Sequence, residues 1–140
     1  VDKSTNTMSD YVKLIRNEYK FLDYAPVCFV SALKKSRIDT IFETLELVHN
    51  AYYTRIKTSL LNEVIQDAQV MNQTPCFNGG RLKIMYATQV ATAPPTFALF
   101  VNDPEFMHFS YQRYIENRLR ETFNFEGTPI NIVLRKKKKD

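Results

Sequence analysis

Apolar residues recur along this chain with two periods, and the changes of period divide it into elements. Tyr11, Leu14, Ile15 and Tyr19 fall at helical spacing behind Thr7 and Asp10, which stand in capping-box order, and predict a first helix over 8–20. Pro26-Val27-Cys28-Phe29-Val30 is a short apolar run between a proline and a small-residue loop, and reads as a strand buried on both faces. Ser36 and Asp39 repeat the capping-box spacing. Behind them Ile38, Ile41, Phe42, Leu45, Val48, Tyr52 and Ile56 carry one apolar face to about Lys57, predicting a long second helix. Helix, buried strand, helix leaves both edges of a one-strand sheet open, so this stretch expects upstream strands that the chain does not supply.

From Thr58 or Ser59, either of which could cap it, a third helix carries Leu60, Leu61, Val64, Ile65, Ala68 and Met71 until Pro75 and Asn78-Gly79-Gly80 break the pattern. The period then changes to two. Leu82, Ile84 and Tyr86 alternate with Arg81, Lys83 and Met85, Ala91-Thr92-Ala93-Pro94-Pro95 turns the chain, and 96–101 returns, predicting an antiparallel pair. Asp103-Pro104 is a helix start, and Tyr111, Ile115, Leu119 and Phe123 form a longer helix after a break near His108-Phe109. Glu126-Gly127-Thr128-Pro129 ends it, and Ile130, Ile132 and Leu134 alternate with Asn131 and Val133 in a last strand. The order over 59–135 is α-β-β-α-α-β, in an α/β (α+β) chain.

Composition agrees with a packed core: 44% of residues are hydrophobic, 13% aromatic and 24% charged, far from the signature of disorder. Cys28 and Cys76 are the only cysteines and form no C-x-x-C pair, so neither a disulfide framework nor a zinc site is expected, and a reducing, cytoplasmic setting is. No apolar run reaches the roughly 20 residues that span a bilayer, so no membrane partner is expected. The start Val1-Asp2-Lys3 lacks an initiator methionine and looks excised from something longer. Net charge is only +4, but Arg135 and Lys136-Lys137-Lys138-Lys139 place five cations in succession. Such a run suits a polyanion such as RNA, and equally a solvated, frayed end. His49 and His108 have no partner at a spacing that makes a triad or a metal set, and are read as structural. The eight Tyr and ten Phe fall mostly at helix or strand periodicity, which favours core packing over base stacking. Cys28 is expected to be a small core residue and Cys76 a loop thiol with no basic neighbour.

The α-β-β-α-α-β order is that of a type II KH domain, an RNA-binding fold. The words Thr58-Ser59-Leu60-Leu61-Asn62-Glu63, Arg81-Leu82-Lys83-Ile84-Met85-Tyr86-Ala87-Thr88-Gln89, Pro94-Pro95-Thr96-Phe97, Phe100-Val101-Asn102-Asp103-Pro104, His108-Phe109-Ser110-Tyr111 and Gly127-Thr128-Pro129-Ile130 go further: they resemble the C-terminal domain of the EngA/Der family, GTPases with tandem G domains. Upstream, Ser31-Ala32-Leu33 is similar to that family's last guanine-contacting loop, where the amide of Ala32 would meet the guanine carbonyl. The resemblance implies residues 1–57 as the end of a second G domain, 58–135 as a KH-like domain and 136–140 as a basic tail. It further implies a cytoplasmic bacterial protein that binds and hydrolyses GTP with Mg and matures the large ribosomal subunit. Its KH-like domain would contact ribosomal RNA and the upstream G domains.

This chain itself has no G-x-x-x-x-G-K-[ST], D-x-x-G or N-K-x-D, and glycines at 79, 80 and 127 cannot build a phosphate loop. It is therefore expected to hold no cofactor or metal, to contain no catalytic residue and to be inactive toward GTP alone. The G-x-x-G clamp by which KH domains hold a nucleic-acid backbone is also missing. Its place, 104–110, has no glycine and carries Glu105 just after Asp103, so an RNA contact is expected elsewhere. Arg113 and Arg120 project opposite the Ile115 face, and with Arg135, Lys136, Lys137, Lys138 and Lys139 form the expected RNA contacts; Arg118 lies beside Tyr111 and is expected to pair with a carboxylate. The other reading is an intramolecular module that packs its sheet on a G domain and reports its nucleotide state, without binding RNA.

Overall fold

The computed structural model describes residues 5–138; the readings placed on Val1-Asp2-Lys3 and Lys139 lie outside them. The first helix, α1, spans Thr5–Glu18 and is followed by a 3-10 turn at Lys20–Leu22, whose last carbonyl accepts a hydrogen bond from Arg16 Nη1 at 2.9 Å. Residues 26–30 are not a strand. They pair with no other segment among the described residues, Cys28 is exposed and Val30 is 46% exposed, against the expected strand buried on both faces. A strand exists only through neighbours that take up its N–H and C=O groups, and this run has none beside it. The second helix, α2, spans Asp39–Tyr52 and leaves Phe42 and Leu45 exposed.

α2 stops five residues short of Lys57, a second correction. Its end is decided by the carboxamide of Gln89, which accepts the Ile56 amide at 2.7 Å and donates to the carbonyls of Thr54 at 2.9 Å and Ala91 at 3.2 Å. The Tyr52 carbonyl takes a further hydrogen bond from the Ala93 amide at 2.8 Å. These contacts hold 53–57 out of the helix and seat Ile56 in the core.

The remaining elements are α3 (Thr58–Met71), a two-residue ladder of β1 (Cys76–Phe77) and β2 (Gly80–Arg81), β3 (Ile84–Ala91), β4 (Thr96–Val101), a 3-10 turn (Pro104–Phe106), α4 (Phe109–Phe123) and β5 (Asn131–Lys136). The expected α-β-β-α-α-β order is present, its fourth element reduced to that single turn. Asn78 and Gly79 both have positive φ, +54° and +82°, as a two-residue hairpin of the primed type requires, so the expected break is a small hairpin. The main sheet runs β3-β4-β5; β4 is antiparallel to β3 and parallel to β5, and α4 provides the crossover a parallel pair needs. This is a mixed α+β, KH-like fold.

One face of the sheet is covered. Leu61, Ile65 and Ala68 of α3 and Tyr111, Ile115 and Leu119 of α4 recur every three or four residues and bury against Ile84, Ala87, Phe97, Leu99 and Val101. Each such aliphatic or aromatic side chain is worth roughly 1.5–3 kcal/mol of burial, and these lie almost entirely within 56–130. Tyr111 and Tyr114 add hydroxyl bonds at 2.8 Å to the carbonyls of Asn72 and Ala68, tying α4 to the end of α3. Burial pushes the Tyr111 hydroxyl up to about 12, with Tyr114 beside it adding to the shift. Ile132 and Leu134 pack on this core while Asn131 and Val133 are exposed, the alternation the sequence predicts.

On β3 the alternation fails. The register shifts between Ile84 and Tyr86, so Ile84 faces the helices and is buried while Tyr86 faces the open side. A bulge of this kind flips every side chain beyond it.

Candidate nucleic-acid interface

The register places Tyr86 beside Phe100 and Phe100 beside Arg135, one row across all three strands on the face away from the helices. The two rings stack with centroids 4.4 Å apart and planes 5° from parallel. With Arg135, Lys136, Lys137 and Lys138 they line a groove of about 640 Å³, and no acidic side chain is among its described lining. The basic end is anchored at its start: the Lys137 amide donates to the Val101 carbonyl at 2.9 Å, extending the β4–β5 ladder by one residue. Lys136 Nζ lies 3.7 Å from Asp103 Oδ2, a pair whose lysine is exposed and which contributes little. Arg135, Lys137 and Lys138 are exposed and enter no ion pair among the described residues.

The other expected contacts lie elsewhere. Arg113 is exposed on α4, on the helix side, and shares a groove with Arg16, Lys20 and the acidic Asp23 and Glu116. Arg120 is a correction. Its side chain is 18% exposed, and its guanidinium donates to the carbonyls of Thr128 at 2.7 Å and Phe125 at 3.0 Å and to Glu116 at 3.1 Å, with its carbon 5.0 Å from the Tyr24 ring centre. These bonds hold Arg120 against the 124–128 turn. Arg118 lies 3.8 Å from Glu121.

The turn between the last two helical elements is closed and internally bonded. Asp103 caps it through Glu105 N at 3.0 Å, Asn78 Nδ2 donates to the Glu105 carbonyl at 2.8 Å, and a Cβ on Gly80 would collide with the Phe106 ring. His108 caps α4, its Nδ1 accepting the Ser110 amide at 3.1 Å. His49 lies against Tyr53 with ring centres 4.9 Å apart. Cys76 has a basic neighbour after all, with Arg81 Nη2 3.6 Å from its sulfur. Near the start of the chain, Ser31 and Ser36 form an isolated bridge with both bonds at 3.1 Å, and Lys34 N donates to Ser31 Oγ at 3.2 Å. Ala32 and Leu33 stand exposed at the tip of that loop.

Tyr86, Phe100 and Gln89 were not singled out by sequence reasoning. Tyr86 fits the apolar period of Ile84, and nothing local announces the bulge that turns it outward.

The fold has its counterpart in sequence comparison. Residues 55–135 match the family described as KH-domain-like of EngA bacterial GTPase enzymes, C-terminal. The chain belongs to this family. The whole chain is 54% identical over 138 residues to the protein named GTPase Der of Geobacillus thermodenitrificans, covering 99% of this chain and 32% of that protein. It is 54% identical over 136 residues to GTPase Der of Ligilactobacillus salivarius, covering 97% and 31%, and 54% identical over 138 residues to GTPase Der of Enterococcus faecalis. The chain thus spans about a third of the length of these relatives. The relatives' name implies a guanine nucleotide, and the residues present do not fit its phosphates or a magnesium ion. Among the described residues no three His, Cys, Asp or Glu side chains are grouped to hold a metal, and no glycine loop with a lysine exists. No helix of the described residues is long and apolar enough to cross a membrane.

Proposed function

We propose that this chain is the C-terminal part of a cytoplasmic bacterial GTPase of ribosome assembly. In this reading residues 1–57 end a second G domain, 58–135 are a KH-like domain that contacts ribosomal RNA of the large subunit, and 136–140 are a basic tail. GTP or GDP and Mg belong to the upstream part; Ser31, Ala32 and Leu33 offer the guanine base at most the edge of its pocket. The observation that carries the RNA reading is the anchored basic end at Arg135, Lys136, Lys137 and Lys138, of which only Lys136 meets a carboxylate among the described residues. Lys139 follows in the sequence, and Arg113 belongs to a separate surface on α4 where cations and carboxylates mix.

Unpaired RNA engaged by about four of these cations loses affinity with a log–log salt slope of roughly −0.7 per contact, near −3. Filter retention of ribosomal RNA or large subunits at several salt concentrations tests this. Deleting 136–140 is expected to remove most of the slope; unchanged affinity and slope would leave the tail a frayed end.

The second reading, an intramolecular module reporting a G domain's state, is favoured by the Gln89 and Arg120 clasps and the Ala93–Tyr52 bond, which tie 52–56 and Tyr24 to the KH-like domain.

A further inference from the structure

We propose that the open sheet face is a base-stacking platform. An unpaired nucleotide of the RNA would lie on the Tyr86–Phe100 stack while its flanking phosphates reach Arg135, Lys137 and Lys138. The proposal rests on the RNA reading above and adds to it a place and a mode of contact. Three observations carry it. The ring pair lies parallel on the helix-free side of the sheet with Tyr86 42% exposed, whereas Phe97, Tyr111 and Phe125 are buried in the core on the other side. Arg135 follows Phe100 in the same cross-strand row, and Lys137 is held by the Val101 carbonyl, so cations flank the rings at positions the sheet determines. Among the described residues, no carboxylate lines the groove they share.

An aromatic platform with cations alongside matches single-stranded nucleic acid, which offers π-faces and phosphates together. A duplex hides its base faces, and a protein partner would need carboxylates to answer the lysines. The site is therefore distinct from an interhelical clamp, whose place is filled by the turn that Asp103 caps.

The chain has no tryptophan, so Tyr86→Trp introduces a single reporter at the platform. Twelve-residue oligouridylate and oligoadenylate are expected to quench its emission on binding, and inorganic polyphosphate to bind without quenching. Tyr86→Leu, which keeps an apolar side chain on the strand, is expected to weaken oligonucleotide binding about tenfold while leaving polyphosphate binding and the thermal midpoint unchanged. Lys137→Gln with Lys138→Gln is expected to lower the salt slope by about 1.4 with quenching retained at low salt. RNA binding that leaves the reporter unquenched and is indifferent to Tyr86→Leu would overturn the platform alone, leaving the charge contact standing and the rings to a protein surface. No binding of either oligonucleotide by the parent chain at low salt would overturn the RNA reading and the platform together.

Discussion

Gln89 Oε1 accepts the amide proton of Ile56 at 2.7 Å, across 33 positions of sequence, and this one side chain ends α2 and starts the KH-like domain. Its Nε2 bonds Thr54 and Ala91 carbonyls, so a single carboxamide satisfies three backbone groups at a nearly buried site. Replacing Gln89 by Leu leaves those groups unpaired and is expected to cost about 1–3 kcal/mol. Urea denaturation measures the loss. Limited proteolysis should show cleavage within 53–57 before the rest of the domain opens; protection equal to the parent's would show that the clasp does not hold this segment.

Gly127 sits at φ +81°, donates its amide to the Tyr24 carbonyl at 3.0 Å, and has Val48 Cγ2 where a Cβ would collide with it. Gly127→Ala therefore meets two obstacles, left-handed backbone and a methyl of α2. The backbone part alone is roughly 1 kcal/mol. Val48→Ala removes the second obstacle, so the double variant is expected to recover part of the stability lost by Gly127→Ala in a double-mutant cycle. Strictly additive losses would count against contact between α2 and the 127 turn.

Arg120 is expected to behave as a structural residue and Arg135 as a surface one. Arg120→Ala strands the Thr128 and Phe125 carbonyls and the Glu116 carboxylate, with an expected loss of about 2–3 kcal/mol by thermal or urea unfolding. Arg135→Ala is expected to leave stability within about 0.5 kcal/mol and to lower the RNA salt slope by about 0.7. An Arg120→Ala chain of full stability would return that residue to the outward-facing set.

Tyr111 makes the fold sensitive to alkali. Burial raises its hydroxyl from 10.0 to about 12, so the neutral form is favoured in the folded state. A folded-state value above the unfolded one contributes stability in full below pH 10 and loses it as pH rises toward 12. Stability followed by denaturant titration is expected to fall across that window, and to fall less steeply in Tyr111→Phe, which starts about 1 kcal/mol lower for want of the bond to Asn72. Parallel curves for the two proteins would assign the alkaline loss to other groups.

The core cluster lies wholly between Ile56 and Ile130, so residues 54–138 are expected to melt cooperatively when produced alone, as read by far-UV circular dichroism. Residues 1–53, whose 26–30 run finds no strand partner, are expected not to. A cooperative melt of the shorter piece would contradict the view that it needs further sheet.

Sequence periodicity by itself determined α3, α4, β4 and β5, because each buries one stripe or one face, and the repeats of Leu61, Ile65 and Ala68 or of Ile130, Ile132 and Leu134 carry that information locally. The basic run at 135–138 was equally plain. Tertiary structure alone decided what depends on partners distant in the chain. The helical pattern through Ile56 was overruled by Gln89, whose three hydrogen bonds outweigh one more turn of a helix end. The apolar run at 26–30 joined no sheet, since a strand is a property of its neighbours as much as of its residues. Arg120, outward on a helical projection, turned to carbonyls that the 124–128 loop brought within reach. A one-residue bulge moved Tyr86 from the core side to the open face beside Phe100 and Arg135. Side chains alternate with period two, so one added residue exchanges faces, and only the pairing register reveals it.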